Sequence, residues 1–440
     1  MYALCSRILL RRSSASVFRG LCSEPAPQNP EYRRKANRLV PLPPELVKAV
    51  ENVLADRDLD KLQADGQLLH RQLWSRREPI ETREIQERAG NLQWQMFGDR
   101  LSRLDSEQRE LVEPQIKEAI VNKLRKTTYH WTPVNYDDYG SLCYLLGRFP
   151  YEFAALRNVF REICIIDPLF APQTCLDFGS GIGTVWWVMR DLYNASFNEY
   201  LSVDIQRPMR DLARQLVAGG DPHGSVSFEV YAQRAKLPAS VNTKYDVAVS
   251  AFSLLELPNQ RERLATIETL WEKTQRHLII LENGNHTGFK LVSEARKFIL
   301  EISNHANQAR SYVLAPCTHN LPCQRSHSEM SKLPCSFPVK YASFESSHVG
   351  RCSYSYVVLS KVRPKCEPAA RIIENVLPRT RHVTCRLCTS KGQVEEKIFT
   401  KRKHDKEVYS AARRAEWGDL FPHEDIPSAR TKTRSPADTP

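Results

Sequence analysis

Long apolar runs are missing from this chain of 440 residues: no stretch of 18 or more apolar residues occurs, which excludes a helix spanning a bilayer and predicts no membrane insertion. Acids are in deficit. Asp and Glu number 51 against 63 Lys and Arg, a formal net charge of +12, which favours a polyanionic partner. No acid at all precedes Glu24, while Arg7, Arg11, Arg12 and Arg19 stand among serines beside a stripe of Leu4, Ile8, Leu9, Val17 and Phe18. That composition predicts a mitochondrial transit peptide over residues 1–23 and a matrix location; Arg11-Arg12 breaks the apolar core that a secretory signal needs. A Cys-x-x-Cys pair occurs once, at Cys385 and Cys388, so the second knuckle of a common zinc module is lacking.

The length suffices for two or three domains. Residues 24–42 are polar and proline-punctuated, a flexible leader. Pro43-Pro44-Glu45 opens a helix, because proline is tolerated in a first turn. The spacing of Leu46, Val47, Val50, Val53 and Leu54, then of Leu68, Leu69, Leu73 and Trp74, predicts a helical N-terminal domain over 43–150. The arginines between 81 and 103 lie among acids and read as a solvated face. Residues 123–131 interleave Lys123, Arg125 and Lys126 with Tyr129 and Trp131. This suits phosphate contact with base stacking, or a helix end packing two rings into the core.

Residues 175–183 read Cys-Leu-Asp-Phe-Gly-Ser-Gly-Ile-Gly. An apolar strand carrying Asp177 turns through Gly179, Gly181 and Gly183 into a helix at 185–192, whose free N–H groups face any ligand of the turn. In a dinucleotide fold the third glycine comes three residues after the second; here it comes two after, a spacing that resembles motif I of S-adenosylmethionine (SAM) methyltransferases. Asp204 lies 21 residues after Gly183 at the end of an apolar run at 200–204, where an acid binds ribose hydroxyls. A helix at 209–217 and strands at 226–230, 245–252, 277–282 and 354–360 continue the alternation. The pattern predicts an α/β protein with a SAM-methyltransferase-type, Rossmann-like parallel sheet over 151–362, ligand at the strands' carboxyl ends. The cofactor-binding candidates are Asp177, Gly179, Gly181, Gly183 and Asp204; the alternative is a tight strand–helix turn with no ligand.

Twelve cysteines would stay reduced in a matrix protein, so disulfides explain them poorly. Cys143, Cys164 and Cys175 stand in apolar contexts and read as small buried hydrophobes. Cys317, Cys323 and Cys335 fall in a polar, proline-bearing insertion at 315–340, before the last strand; Cys385 and Cys388 fall in a basic extension at 363–420, with a disordered tail at 421–440. Four thiolates can close a zinc site or hold an iron–sulfur cluster, with His319, His327 or His382 able to replace one. The wide Cys-x5-Cys-x11-Cys spacing favours a 4Fe-4S cluster on Cys317, Cys323, Cys335 and one of the C-terminal pair. Either metal would pin the extension, with Arg379, Arg381, Arg386, Lys391, Lys397, Lys401, Arg402 and Lys403, into a fixed surface suited to folded RNA.

Catalytic machinery is not evident. A base amino-methyltransferase would show an Asn/Asp-Pro-Pro-aromatic turn after the fourth strand, where this chain has Ser250-Ala-Phe-Ser253, and a cytosine-C5 enzyme would need a nucleophilic cysteine near that turn. Glu256 and Glu282 sit at strand ends but read equally well as ordinary loop acids. A SAM-radical enzyme would carry three closely spaced cysteines in one loop. The glycine turn, residues 249–258 (Val-Ser-Ala-Phe-Ser-Leu-Leu-Glu-Leu-Pro), residues 315–323 (Ala-Pro-Cys-Thr-His-Asn-Leu-Pro-Cys) and residues 381–388 (Arg-His-Val-Thr-Cys-Arg-Leu-Cys) together resemble the methyltransferase-like protein 17 family of mitochondrial small-ribosomal-subunit assembly factors, over roughly residues 46–420. The resemblance implies a factor that binds ribosomal RNA, partners the mitochondrial small subunit and other assembly factors, and is monomeric off the ribosome. It also implies a 4Fe-4S cluster on Cys317, Cys323, Cys335 and, of the pair, Cys388, with a SAM-type pocket that has lost methyl transfer. The competing reading is an active SAM-dependent rRNA methyltransferase of the mitochondrial small subunit.

Overall fold

The computed structural model describes residues 38–421 except 194–196, 225–229, 241, 306–309, 328–332, 345–348 and 365–368. The expected transit peptide, most of the leader and the tail after Phe421 therefore lie outside the described residues. In chain order the elements are β1 (Leu39–Val40), α1 (Pro44–Leu54), α2 (Leu59–Ser75), α3 (Thr82–Leu101), α4 (Ser106–Thr127), α5 (Asp138–Gly147) and α6 (Phe149–Ile166). The central unit continues with β2 (Thr174–Phe178), α7 (Thr184–Tyr193), β3 (Glu199–Val203), α8 (Arg207–Val217), β4 (Tyr231–Arg234), β5 (Tyr245–Ala251), α9 (Gln260–Lys273), β6 (Thr274–Asn283) and α10 (His286–His305). Then come β7 (Tyr312–Ala315), α11 (Gln324–His327), β8 (Phe337–Ala342) and β9 (Val349–Ser360). The extension forms β10 (Ala370–Ile372), β11 (Leu377–Pro378), β12 (His382–Cys388), β13 (Val394–Thr400), α12 (Lys406–Arg414) and β14 (Leu420–Phe421). Among the described residues no helix is long and apolar enough to cross a membrane.

The main sheet runs β1-β8-β9-β6-β5-β2-β3-β4, with β7 also on β9. Strands β2 to β6 pair in parallel. The order departs in one direction through β3 and β4 and in the other through β5 and β6, so the β2/β5 carboxyl ends form the switch-point crevice of a doubly wound sheet. This is the α/β, SAM-methyltransferase-type fold that the sequence predicts. Alternate strand residues feed two cores, Cys175, Val247, Val249 and Ile279 toward α6 and α7, and Leu176, Ala248, Leu278 and Ile280 toward α9 and α10. Burial on both faces explains the continuous apolar strands.

One expectation needs correction. The sheet is mixed, because β7, β8 and β9 form an antiparallel edge. The strand expected at 226–230 lies, apart from Val230, outside the described residues, and the pairing strand begins at Tyr231. Tyr231 stacks on Tyr200 with centroids 5.3 Å apart and meets Trp186 edge-on at 5.1 Å, and this aromatic packing sets the register.

The register of β9 exposes a feature invisible in one dimension. Tyr312 and Val313 pair with Ser360 and Leu359, and Phe337 to Ala342 pair with Tyr354 to Val349 in the same sense. Strands β7 and β8 are thus two halves of one strand position, and residues 316–336, with three cysteines, are an excursion anchored at both ends. The extension forms a second antiparallel sheet, β11-β12-β10-β14 with β13 on β12, around Val383, Cys385, Leu387, Phe399 and Phe421.

In the helical domain, α2 and α5 cross through glycines: a Cβ on Gly147 would lie 2.0 Å from the Gly66 carbonyl oxygen. Gly90, mid-α3, has nothing within 4 Å of such a carbon. We predict that Gly147→Ala destabilises by about 1–3 kcal/mol through forced separation of the helices, whereas Gly90→Ala stabilises by about 0.5–1 kcal/mol. Urea unfolding measures both, and a Gly147→Ala protein as stable as wild type would contradict the close crossing.

Candidate functional site: glycine turn and thiol cavity

The turn after β2 requires its glycines. Gly179, Gly181 and Gly183 have φ of +68°, +51° and +82°, and a Cβ on Gly179 would come within 2.3 Å of Ser253. Asp204, just past β3, accepts from the Gly181 N–H at 2.8 Å and the Gln206 N–H at 2.8 Å. Asp177 is buried at the turn's base, where burial pushes its carboxyl from 3.8 up to about 7, while the Tyr200 hydroxyl donates to it. The structure therefore gathers all five cofactor-binding candidates at one turn.

The space beside that turn is small. The cavity lined by Tyr144, Glu152, Asp177, Ser180, Thr184 and Ala251 measures about 20 Å³. A ligand pocket is typically about 300–1,000 Å³. Side chains of the protein's own core fill the crevice instead. Arg148 pairs with Glu152 at 3.0 Å and donates to Asn283 Oδ1 at 3.2 Å; the Tyr144 hydroxyl donates to Glu152 at 2.7 Å. The Arg148 guanidinium lies 5.0 Å from the ring centroids of Tyr151 and Phe252. Phe252 itself takes a left-handed φ of +56°, and Ser253 Oγ donates to the Phe178 carbonyl at 3.2 Å, closing residues 250–253 over Gly179. The polar groups at the turn suit a nucleoside; the room for one is absent in this conformation.

The two loop acids have structural partners. Glu256 pairs with Arg76 at 3.0 Å and accepts from the Val134 N–H at 3.3 Å, while Trp131 Nε1 donates to the Leu255 carbonyl at 3.0 Å. Of the two rings in the 123–131 segment, Trp131 thus docks on the sheet domain and Tyr129 stays exposed. Glu282 is buried, accepts from the Leu254 N–H at 2.9 Å, and is pushed by burial from 4.5 up to about 8.

The second site is made by the excursion and the extension. Cys317, Cys323, Cys335 and Cys388 line one cavity of about 20 Å³, with Arg325 and Arg371 in its wall. Burial raises the thiols of Cys317, Cys335 and Cys388 above the ordinary range, and Arg296 opposes it at Cys317 and Cys388. Among the described residues no three His, Cys, Asp or Glu converge closely enough for a single metal ion. His319 stands 3.4 Å from the Cys388 sulfur through Nε2.

Cys385 goes elsewhere. Three residues apart on β12, Cys385 and Cys388 point to opposite faces; Cys385 enters the core of the second sheet, 4.0 Å from the Ala412 carbonyl, and burial pushes its thiol up to about 12. The spacing that reads as a two-thiolate bite is divided by the strand.

Three buried arginines around the thiols escaped the sequence reading. Arg296 donates to the carbonyls of His319 and Leu321 at 2.9 and 2.8 Å, Arg325 pairs with Glu374, and Arg371 donates to Pro316 at 2.7 Å and Gly418 at 2.7 Å while pairing with Glu162 at 2.6 Å. Their one sequence signal is Arg296, which falls on the apolar stripe Val292, Ala295 and Ile299 of α10. The basic set of the extension also divides. Arg386 pairs with Glu374 and Glu396 and Lys397 with Glu395, whereas Arg379, Arg381, Lys401, Arg402 and Lys403 are exposed.

Residues 138–422 match the family model described as mitochondrial small ribosomal subunit Rsm22. The chain is 35% identical over 389 residues to the human ribosome assembly protein METTL17, mitochondrial, covering 87% of this chain and 83% of that protein. It is 24% identical over 333 residues to the Rsm22-cox11 tandem protein 2, mitochondrial, of Schizosaccharomyces pombe, covering 64% of this chain and 43% of that protein. Similar solved structures include magnesium protoporphyrin IX methyltransferase from Synechocystis PCC 6803 with bound SAH, at 12% identity over 58% of this chain and 99% of that one, TM-score 0.32. A putative RNA methyltransferase from Pyrococcus horikoshii aligns at 12% identity over 49% and 84%, TM-score 0.27.

The buried Glu282 yields a pH prediction. Its folded-state value is raised above the unfolded one, so its contribution to stability is present below pH about 4.5 and is lost as pH rises toward about 8. Glu282→Gln keeps an acceptor for Leu254 and removes the titration. The stability of the variant relative to wild type should therefore rise across that window in urea titrations; a constant difference would refute the raised carboxyl.

Proposed function

We propose, from the premise that the chain belongs to the Rsm22 family, that it is a mitochondrial assembly factor of the small ribosomal subunit that binds rRNA in the matrix. The observation carrying the reading is the thiol cavity. Cys317, Cys323 and Cys335 from the excursion and Cys388 from the extension face one another among buried arginines. In donor chemistry such a set suits an anionic 4Fe-4S centre, whose ligands bind separate corners, better than a zinc ion drawing every sulfur to about 2.3 Å from one point, and the cavity of about 20 Å³ must open to admit the cluster. The bound cluster would supply iron–thiolate bonds joining the excursion to β12. Arg296, Arg325 and Arg371 would balance its charge, and the joined elements would hold Arg379, Arg381, Lys401, Arg402 and Lys403 as a fixed cationic surface for phosphates.

The glycine turn supports a SAM-type fold without methyl transfer. Ser250 and Ser253 hydrogen-bond to each other at 2.8 Å where a base-binding turn would open, and the Arg148–Glu152 pair occupies the crevice. A second reading, an active rRNA methyltransferase, draws on the positive-φ glycines and on Asp204. Transfer of labelled methyl from SAM to small-subunit rRNA by purified protein, abolished by Asp204→Ala, would establish it; the first reading predicts no transfer.

The cluster reading is tested with two variants purified anaerobically. Cys388→Ser should lose most bound iron and sulfide and stop co-sedimenting with small-subunit particles. Cys385→Ala, in the apolar core, should keep both. Iron-free wild type, or equal loss in the two variants, would contradict the assignment.

A further inference from the structure

Between α2 and the start of β9 lies a cleft of about 510 Å³ lined by His70, Arg71, Trp74, Arg351, Cys352 and Ser353. It shares no lining residue with the glycine-turn cavity or the thiol cavity. Its walls are held by the residues just after β6 and by α6. Asn285 Nδ2 donates to the Trp74 carbonyl at 2.7 Å, the Gly284 N–H donates to the Ser353 carbonyl at 2.9 Å, and the Tyr151 hydroxyl donates to the same carbonyl at 2.8 Å.

The chemistry of the lining is specific. Arg71 and Arg351 are exposed and have no acidic partner among the described residues. Lys340 stands directly opposite Arg351 in the β8/β9 register, also without one. Like charges facing across a ladder repel, so the cleft carries an electrostatic cost that an anion would relieve. Inside the cations, the His70 and Trp74 rings lie parallel with centroids 6.5 Å apart, and Tyr151 meets both edge-on. Burial, with the Arg148 charge beyond it, pushes His70 from 6.5 down to about 4, which leaves a neutral ring at physiological pH. An aromatic floor under a cationic rim is the arrangement that takes single-stranded nucleic acid, bases stacking and phosphates on arginine.

We propose that this cleft binds an unpaired RNA nucleotide, its base against Trp74 and its flanking phosphates on Arg71 and Arg351. The inference deepens the rRNA-binding reading and rests on it. It assigns a role to α2, which the thiol cavity and the basic extension do not touch.

The test is equilibrium binding of a fluorescein-labelled single-stranded oligoribonucleotide to the full chain over a series of salt concentrations. The exposed pair Arg71→Gln/Arg351→Gln should weaken binding at least about ten-fold and lower the magnitude of the log affinity against log salt slope by about 1.4, at about 0.7 per single-strand phosphate. Trp74→Leu should weaken binding by about ten-fold and Trp74→Phe should restore most of it. A 4-thiouridine oligonucleotide should crosslink to peptides spanning 70–74 or 351–353. Wild-type binding with unchanged affinity and slope in the double arginine variant overturns the cleft and leaves rRNA binding standing. Failure of the wild type to bind RNA overturns both.

Discussion

One guanidinium holds three distant parts of this chain together. Arg371, buried on β10, donates to Pro316 at the head of the excursion and to Gly418 near the end of the extension, and it meets Glu162 of α6 at 2.6 Å. The Tyr356 hydroxyl of β9 donates to the same glutamate. A buried cation stripped of its acid typically costs about 3–5 kcal/mol, so neither partner is free to leave. The contact fixes where the second sheet sits against the first, and therefore that Cys388 of β12 faces the excursion. The thiol cavity and the cationic surface of the extension both depend on that placement.

The excursion is constrained from its own ends as well. With β7 and β8 filling one strand position along β9, residues 316–336 depart from the sheet and return to it, and the loop that carries three thiols begins and ends in ladder hydrogen bonds. The glycine-turn end of the sheet is closely packed. The glycine turn keeps its left-handed backbone and its acid, while Arg148, Glu152, Tyr144 and the 250–253 turn occupy the volume a nucleoside would need. The proposed contacts with RNA are spread over the rim of the sheet.

Much of this was legible from local pattern. The strand–turn–helix of residues 174–193 could be read because glycine adopts the three positive φ angles far more readily than other residues and because apolar runs announce doubly covered strands. What could not be read is long-range. Arg371 looks like any basic residue of a basic tail, and nothing in residues 312–342 says that two short strands share one position. The division of Cys385 from Cys388 was within reach, since Val383, Cys385 and Leu387 alternate as one face of a strand; the familiar Cys-x-x-Cys spacing drew attention from that period. Of the third strand, the described residues from Tyr231 pair with the second, and Tyr231 stacks on Tyr200.

The most direct test of the central claim is ultraviolet crosslinking of the tagged protein inside mitochondria, followed by sequencing of the attached RNA. Crosslinks clustered on small-subunit rRNA are the expected result. Crosslinks scattered over unrelated RNAs, or none at all, would contradict the claim.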